Sequence, residues 1–545
     1  MHADTGKKRA GVYGRWQRGG VIAVALVILA ASAQGVAGIT SDDVQEPGTR
    51  ITTAEPGSRL TTTENAPEQA SDSSFRLASV LVDFGAEQGY LLRTERYNTW
   101  DNGDPAPDLR ADDVAFLNEQ GLHSEVVRVG FKVDDLCDVK VNTCDFSSIA
   151  GWLDDISEAT DSLVVHLTPE HIIEAKRPPS EAKPLLKLAI NALKQRFPKI
   201  DYIEATNEPD WEFHGSQVYA GREPILQPDE VYAYYVPFYQ ALNEVNDGLP
   251  TSERLKIGGP ALTGMTRTWM TAFLDGYAAD SNPGKRLDFI SYHGYGEFSD
   301  DFKEYHAYKS DPSEVNTQRT RLDEWLKERQ LTEGIPVLVT ETGIYPGPSF
   351  DDPDPSKNDY IRQAAGLASL HYWWAYQAQI YPFNWVVRHA TQGRKDQLIT
   401  RGPDGPQIHT FSPYGNMLLM QSMMKDTRAT ATSDSINQGL GVYAVASKDA
   451  SGVSIMVWNY QHTNNGSFRT TIDMSRLPPV LRGDKVRQTL YRIDQNTSNY
   501  WVDPEQANLQ QVGERNFILG NNYSLTVDLA PNAVYLVLLE PAGGK

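Results

Sequence analysis

From Phe75 onward, apolar runs of strand length alternate with longer stretches in which apolar residues recur every three or four positions. That alternation predicts βα units around a parallel sheet, since strands covered by helices on their outer face read as short, nearly continuous apolar runs. Eight strands are predicted, at 77–84, 125–130, 162–167, 200–206, 255–258, 287–293, 336–340 and 380–385. Helical periodicity falls between them, at 146–159, 184–196, 228–245, 320–329, 360–377 and 413–424. Eight such units predict an α/β fold, a closed (β/α)8 TIM barrel spanning 75–427. After about Arg428 the pattern changes to β-rich runs separated by turn clusters, among them GVYAVAS, GVSIMVWNY, VRQTLYRID and AVYLVLLE. This predicts a β-sandwich over 428–545 that either packs against the barrel or binds carbohydrate.

The first 74 residues have neither period. Lys7, Lys8, Arg9, Arg15 and Arg18 precede an uncharged run whose apolar part, VIAVALVILAA, is shorter than an ordinary membrane span. Residues 1–38 therefore read as a signal peptide, with Ala31-Ser32-Ala33 and Gly35-Val36-Ala37 as cleavage sites, or as a signal anchor if uncleaved. The expected location is secreted, periplasmic or cell-surface, with membrane contact only through that anchor. Residues 39–74, rich in Thr, Glu, Asp, Ser and Pro, read as a disordered linker. Cys137 and Cys144 are the only cysteines and lie in one loop, so in an exported chain they are expected to form a local disulfide. Asn465-Gly-Ser, Asn496-Thr-Ser and Asn522-Tyr-Ser match the glycosylation sequon, which matters only in a eukaryotic secretory pathway.

A formal net charge of −21 and a pI near 5.0 argue against a nucleic-acid partner, because no basic stripe is present to displace counterions. The 11 Trp and 26 Tyr include rings suited to stacking on sugar faces. Candidate chemistry gathers at predicted strand ends, where α/β barrels build their sites. The fourth strand ends in Asn207-Glu208-Pro209 and the seventh in Glu341. Two carboxyls across one cleft are what glycoside hydrolysis needs, one protonated and one ionised. Glu208 is the expected acid/base and Glu341 the expected nucleophile. Arg128, His166, Asn207, Trp211, His293, Tyr295 and Trp385 are the expected substrate-binding or supporting residues. Arg128 and Tyr295 are placed to hydrogen-bond Glu341, and Trp211 to keep Glu208 dry. No metal or organic cofactor is expected. His371, Trp373 and Trp374 fall on a helix and read as packing.

These strand ends resemble those of clan A retaining glycoside hydrolases, and most nearly family 39, the group of β-xylosidases, α-L-iduronidases and some exopolysaccharide hydrolases. The resemblance rests on Asn207-Glu208-Pro209, Ile257-Gly258-Gly259-Pro260-Ala261, the run from Asp288 to Tyr295, Thr340-Glu341-Thr342 and the C-terminal β domain. It implies retention of anomeric configuration, contact of Asn207 with the sugar 2-hydroxyl and of Tyr295 with the nucleophile. The chain departs from the family pattern at Thr342, where many relatives carry Trp, and in the acidic loop 346–359. That loop would repel a uronic-acid polymer, an effect that Arg388, His389, Arg394 and Lys395 would offset locally. The sequence therefore points to a retaining glycosidase acting on a polysaccharide or oligosaccharide. The alternative from another class is a non-catalytic carbohydrate-binding surface protein that retains the barrel. A barrel lyase or metal-dependent aldolase would need clustered His and Asp ligands or a strand-terminal Schiff-base lysine, which the pattern lacks.

Overall fold

The computed structural model describes residues 75–100, 110–295, 311–343, 360–375, 377–388, 397–401, 409–461, 465–483 and 485–543. The expected signal segment, the linker, the loop 346–359 and the residues His389, Arg394 and Lys395 lie outside them. Among the described residues no helix is long and apolar enough to cross a membrane.

Among the described residues, twenty-one strands follow in chain order. They begin with β1 (Arg76–Tyr90), β2 (Tyr97–Thr99), β3 (Ser124–Lys132), β4 (Cys137–Asp138), β5 (Thr143–Cys144), β6 (Thr160–Thr168), β7 (Ile200–Ala205) and β8 (Lys256–Leu262). Then come β9 (Phe289–Gly294), β10 (Val337–Thr342), β11 (Ile380–Asn384), β12 (Ile399–Arg401), β13 (His409–Phe411), β14 (Thr427–Ser433) and β15 (Gly441–Asp449). The last are β16 (Gly452–Tyr460), β17 (Phe468–Ser475), β18 (Lys485–Ile493), β19 (Gln510–Ile518), β20 (Tyr523–Leu529) and β21 (Val534–Pro541). Strands β2, β3, β6, β7, β8, β9, β10 and β11 close into a parallel barrel. The short β4–β5 hairpin is closed by the expected Cys137–Cys144 disulfide.

The expected first barrel strand is not in the barrel. Residues 77–84 belong to β1, which lies between β14 and β17 in a nine-stranded sheet ordered β19-β18-β21-β16-β15-β14-β1-β17-β20. The barrel instead begins with β2, only three residues long. The burial pattern explains the error. On β1, Ala78, Val80, Val82 and Phe84 are buried at every second position, the alternation of a sandwich strand with one covered face. The barrel strands β9 and β10 are buried at every position. The division at 427/428 accordingly fails at its front end, because residues 76–90 belong to the β domain.

The nine-stranded sheet folds over a core of its own, in which Val80, Val82 and Phe84 of β1 join Val453, Ile455 and Val457 of β16, and Val527 and Leu529 of β20. The other face of β16 packs on the barrel's helical layer, so all nine of its residues are buried. Trp458 on this face donates from Nε1 to Ser369 Oγ at 2.8 Å and stacks on Tyr443, with ring centroids 5.4 Å apart. Trp373 donates to the Tyr443 hydroxyl at 3.2 Å, and Trp374 to Gln318 Oε1 at 3.1 Å. His371, Trp373 and Trp374 thus serve packing, as their helical spacing suggests, and the β domain is built against the barrel.

Because β1 pairs along both of its edges, its loss would split the sheet. A chain beginning at Leu91 is expected to be insoluble or to lose cooperative unfolding. A truncated chain that melts at the temperature of the parent in differential scanning calorimetry would contradict this.

Candidate active site

Inside the barrel, side chains are layered with the two-residue period of the strands. Tyr97, Val126, Val164, Phe289 and Leu338 form an apolar floor with Phe383 and Tyr202. Two residues further along their strands stand Arg128, Glu204 and Thr340, a polar layer on that floor. Arg128 and Glu204 are almost wholly buried, and such charges persist only if paired and hydrogen-bonded. Each nitrogen position of Arg128 has its own partner. Nε donates to Glu204 Oε2 at 2.6 Å, Nη1 to Glu341 Oε1 at 2.7 Å and Nη2 to Asn207 Oδ1 at 2.7 Å. Thr340 Oγ1 holds the other oxygen of Glu204 at 2.8 Å.

Strict alternation on β10 would turn Glu341 away from the barrel if Thr340 faces in. A register shift against β9 resolves this: Val339 pairs with Tyr292 and Glu341 with His293, so one strand carries an extra residue. Such bulges re-aim a side chain. Glu341 thereby reaches Arg128 and, through Oε2, the hydroxyl of Tyr295, which donates at 2.5 Å. On the other side, the chain leaving β7 carries Thr206 and Glu208 at φ of 65° and 38°, the left-handed region that non-glycine residues seldom adopt. The Glu208 N–H is anchored by the carbonyl of Ala261 at 2.8 Å.

The two glutamates meet across His293. Its Nδ1 lies 2.8 Å from Glu208 Oε1 and 3.4 Å from Glu341 Oε2, and ligand atoms of all three residues lie within 4.8 Å of one another. Their electrostatic settings differ. Burial pushes the Glu208 carboxyl up to about 7, and only the charge of Arg128 opposes it. Glu341 is also raised, by burial and by the charge of Glu208, but Arg128 and the Tyr295 hydrogen bond oppose the rise. Burial holds His293 down at about 4, so it is neutral near pH 7 and can donate to a carboxylate or accept from a carboxylic acid. Glu208, His293 and Glu341 are ligand types that a metal could share, but the buried Arg128 cation on Glu341 opposes a second positive charge there.

The remaining expected residues are placed unevenly. His166 packs over Gly130, where an added Cβ would fall 1.3 Å from its Nε2, so this close approach requires glycine. Burial and the neighbouring Arg128 keep His166 neutral. Asn207 is in the network through both ends of its amide. Trp385 is half-buried, its backbone N–H donating to the carbonyl of Thr342 at 3.0 Å and its own carbonyl lying near Gly343, as does the Tyr295 ring. Trp211 is also half-buried, in the turn whose first N–H bonds the Glu208 carbonyl at 2.9 Å. Arg388 departs from expectation. It is buried and gripped by both carboxylate oxygens of Asp113, so it is committed within the protein rather than offered to an acidic substrate. Thr342 is buried and donates to the Phe383 carbonyl at 2.7 Å, tying β10 to β11.

Sequence reasoning missed Glu204, Asp210 and Glu212. A lone Glu in the apolar run Tyr202-Ile203-Glu204-Ala205 was the available signal, since a charge within a covered strand must have an internal partner. Asp210 is fully buried and accepts from Thr263 Oγ1 at 2.6 Å, and burial pushes it up to about 7.

No family model matches the chain, and no curated protein sequence does. Solved structures do. A bacterial orthologue of human α-L-iduronidase superposes with a TM-score of 0.63 at 15% identity, covering 86% of this chain and 85% of that one. The family 39 glycoside hydrolase of Xanthomonas axonopodis pv. citri gives 0.63 at 14%, covering 88% and 100%. A monomeric β-xylosidase from Caulobacter crescentus CB15 gives 0.60 at 14%, covering 85% and 100%. At these identities the likeness is one of fold, and it extends over both the barrel and the β domain.

Glu204→Ala would leave Arg128 buried with one partner missing and is expected to cost about 3 kcal/mol, read as a lower midpoint of urea denaturation. Glu204→Gln, which keeps an acceptor oxygen, should cost less. An Ala variant as stable as the parent would refute this account of Arg128.

Proposed function

We propose that the protein is a retaining glycoside hydrolase acting on a polysaccharide or oligosaccharide. The observation that carries this is the facing pair Glu208 and Glu341, held at a shared imidazole with unlike partners. The spacing of at most 4.8 Å between their ligand oxygens favours direct attack by the second carboxylate over a mechanism that needs room for water between them. Kinship of fold with an iduronidase orthologue, a family 39 enzyme and a β-xylosidase supports the same reaction class.

In this mechanism Glu341 attacks the anomeric carbon as Glu208 gives its proton to the departing oxygen. Glu208, now a carboxylate, then takes a proton from water as that water displaces Glu341 from the sugar. Arg128 and Tyr295 hold Glu341 ionised and aimed. Neutral His293 bonds Glu208 in either protonation state. Asn207 offers an amide hydrogen to a sugar hydroxyl, and Trp385, Trp211 and His166 line the subsites. The chain acts outside the cytoplasm, which the disulfide and the apolar N-terminal segment support.

Glu341→Ala is expected to abolish turnover of an activated aryl glycoside, and Glu208→Ala to impair poor leaving groups far more than good ones. Wild-type rates in the first variant, or equal losses on both substrate types in the second, would defeat the assignment. For the parent, kcat/KM should rise with pH as Glu341 loses its proton and fall with a midpoint near 7 as Glu208 does. A profile still flat at pH 9 would remove Glu208 as the acid.

A further inference from the structure

The amide of Asn207 is held from both sides. Its Oδ1 accepts from Arg128 at 2.7 Å, and its Nδ2 donates to Glu212 Oε1 at 2.9 Å. A guanidinium has no acceptor, so the amide's oxygen must face Arg128 and its nitrogen Glu212. One Nδ2 hydrogen is spent on Glu212 and the other remains for a ligand. Glu212 reaches this position because the chain curls immediately after the strand end. The N–H groups of Trp211 and Glu212 both bond the carbonyl of Glu208, at 2.9 and 2.7 Å, which brings residue 212 back over residue 207.

Glu212 is half-buried, and among the described residues its second carboxyl oxygen has no hydrogen-bond partner. The charged groups that it feels are Glu208 on its own turn, and Glu170 and Lys132 from the ends of the third and second barrel strands. Lys132 and Glu170 are paired with each other at 2.7 Å. Asp210, between Glu208 and Glu212 in sequence, faces Thr263 instead. Burial pushes Glu212 up to about 8, with the nearby Glu208 and Glu170 adding to the effect and Asn207 and Lys132 opposing it. Neighbouring carboxyls of this kind titrate as a pair, each harder to ionise once the other has done so.

Resting on the glycosidase reading of the site, we propose that Glu212 is a positioning residue of the reaction, which holds the Asn207 amide nitrogen toward the sugar and couples that contact to the charge on Glu208. It touches neither the anomeric carbon nor the leaving group, and acts through Asn207 and through its field.

Two measurements test this. The first is a double-mutant cycle on an aryl glycoside, with Asn207→Ala, Glu212→Ala and both together. Glu212→Ala is expected to lower kcat/KM roughly ten- to a hundredfold alone but by less than about threefold once Asn207 is gone, since contacting residues are not additive. The second is a carbon-13 NMR titration of the Glu212 carboxyl in the parent and in Glu208→Gln, which removes the charge that Glu208 carries by the time Glu212 titrates. The Glu212 midpoint should fall by roughly 0.5 in pH when the Glu208 charge is gone. Equal losses in both backgrounds, or an unmoved Glu212 titration, would overturn the proposal. A parent protein that hydrolyses no glycoside would overturn the glycosidase reading instead, while the NMR titration would still decide the coupling.

Discussion

The site depends on one buried cation. Arg128 stands on an apolar floor at the centre of the barrel, where an unpaired charge would cost several kcal/mol. The cost is offset by spending the guanidinium on three partners from two other strands, Glu204 and Asn207 at β7 and Glu341 on β10. A planar, forked donor can do this and an ammonium cannot, because the directions of its N–H bonds are fixed relative to one another. The fork converts the placement of one side chain into the relative placement of three. Glu341 is thus oriented by the same group that compensates its charge.

The contrast between the two central glutamates follows from this arrangement. Both lie away from bulk water, and burial raises both. Only Glu341 touches the guanidinium and the phenol of Tyr295, whereas Glu208 touches a neutral imidazole. Burial raises the proton affinity of both, and the partners that each carboxyl reaches set the difference between them. Those partners are reached through local departures from regular geometry: the extra residue on β10 and the left-handed backbone at Glu208.

The chain announced much of this arrangement. Apolar runs alternating with helical periodicity specified a barrel, and the polar residues at the ends of those runs specified which side chains would meet. Glu208, His293, Tyr295, Glu341 and Arg128 do converge. The first strand was misassigned because β1 and β2 compete for that role: the longer and more apolar segment is the sandwich strand, and three residues leave almost no periodic signal. Glu204 and Glu212 escaped notice for different reasons. Glu204 sits inside a strand rather than at its end. Glu212 acquires its role from a tight turn that places it against Asn207, and no spacing rule for strands or ordinary helices contains that turn. Arg388 was misjudged because its partner, Asp113, is 275 positions away, and pairing at that distance leaves no local trace.

The position of β1 bears on how the molecule is made. Ser79 bonds the side chain of Asp434, a residue 355 places downstream. At roughly 5–20 residues per second of synthesis, the first strand waits on the order of tens of seconds for its neighbours. During that time a whole barrel is completed between the two halves of the domain that will enclose it. The barrel is in effect an insert within the sandwich, and the last described strands close a sheet that the first described strand begins. A nascent molecule of this kind carries an apolar, unpaired ribbon for most of its synthesis, and its assembly finishes only when both ends of the folded region are present.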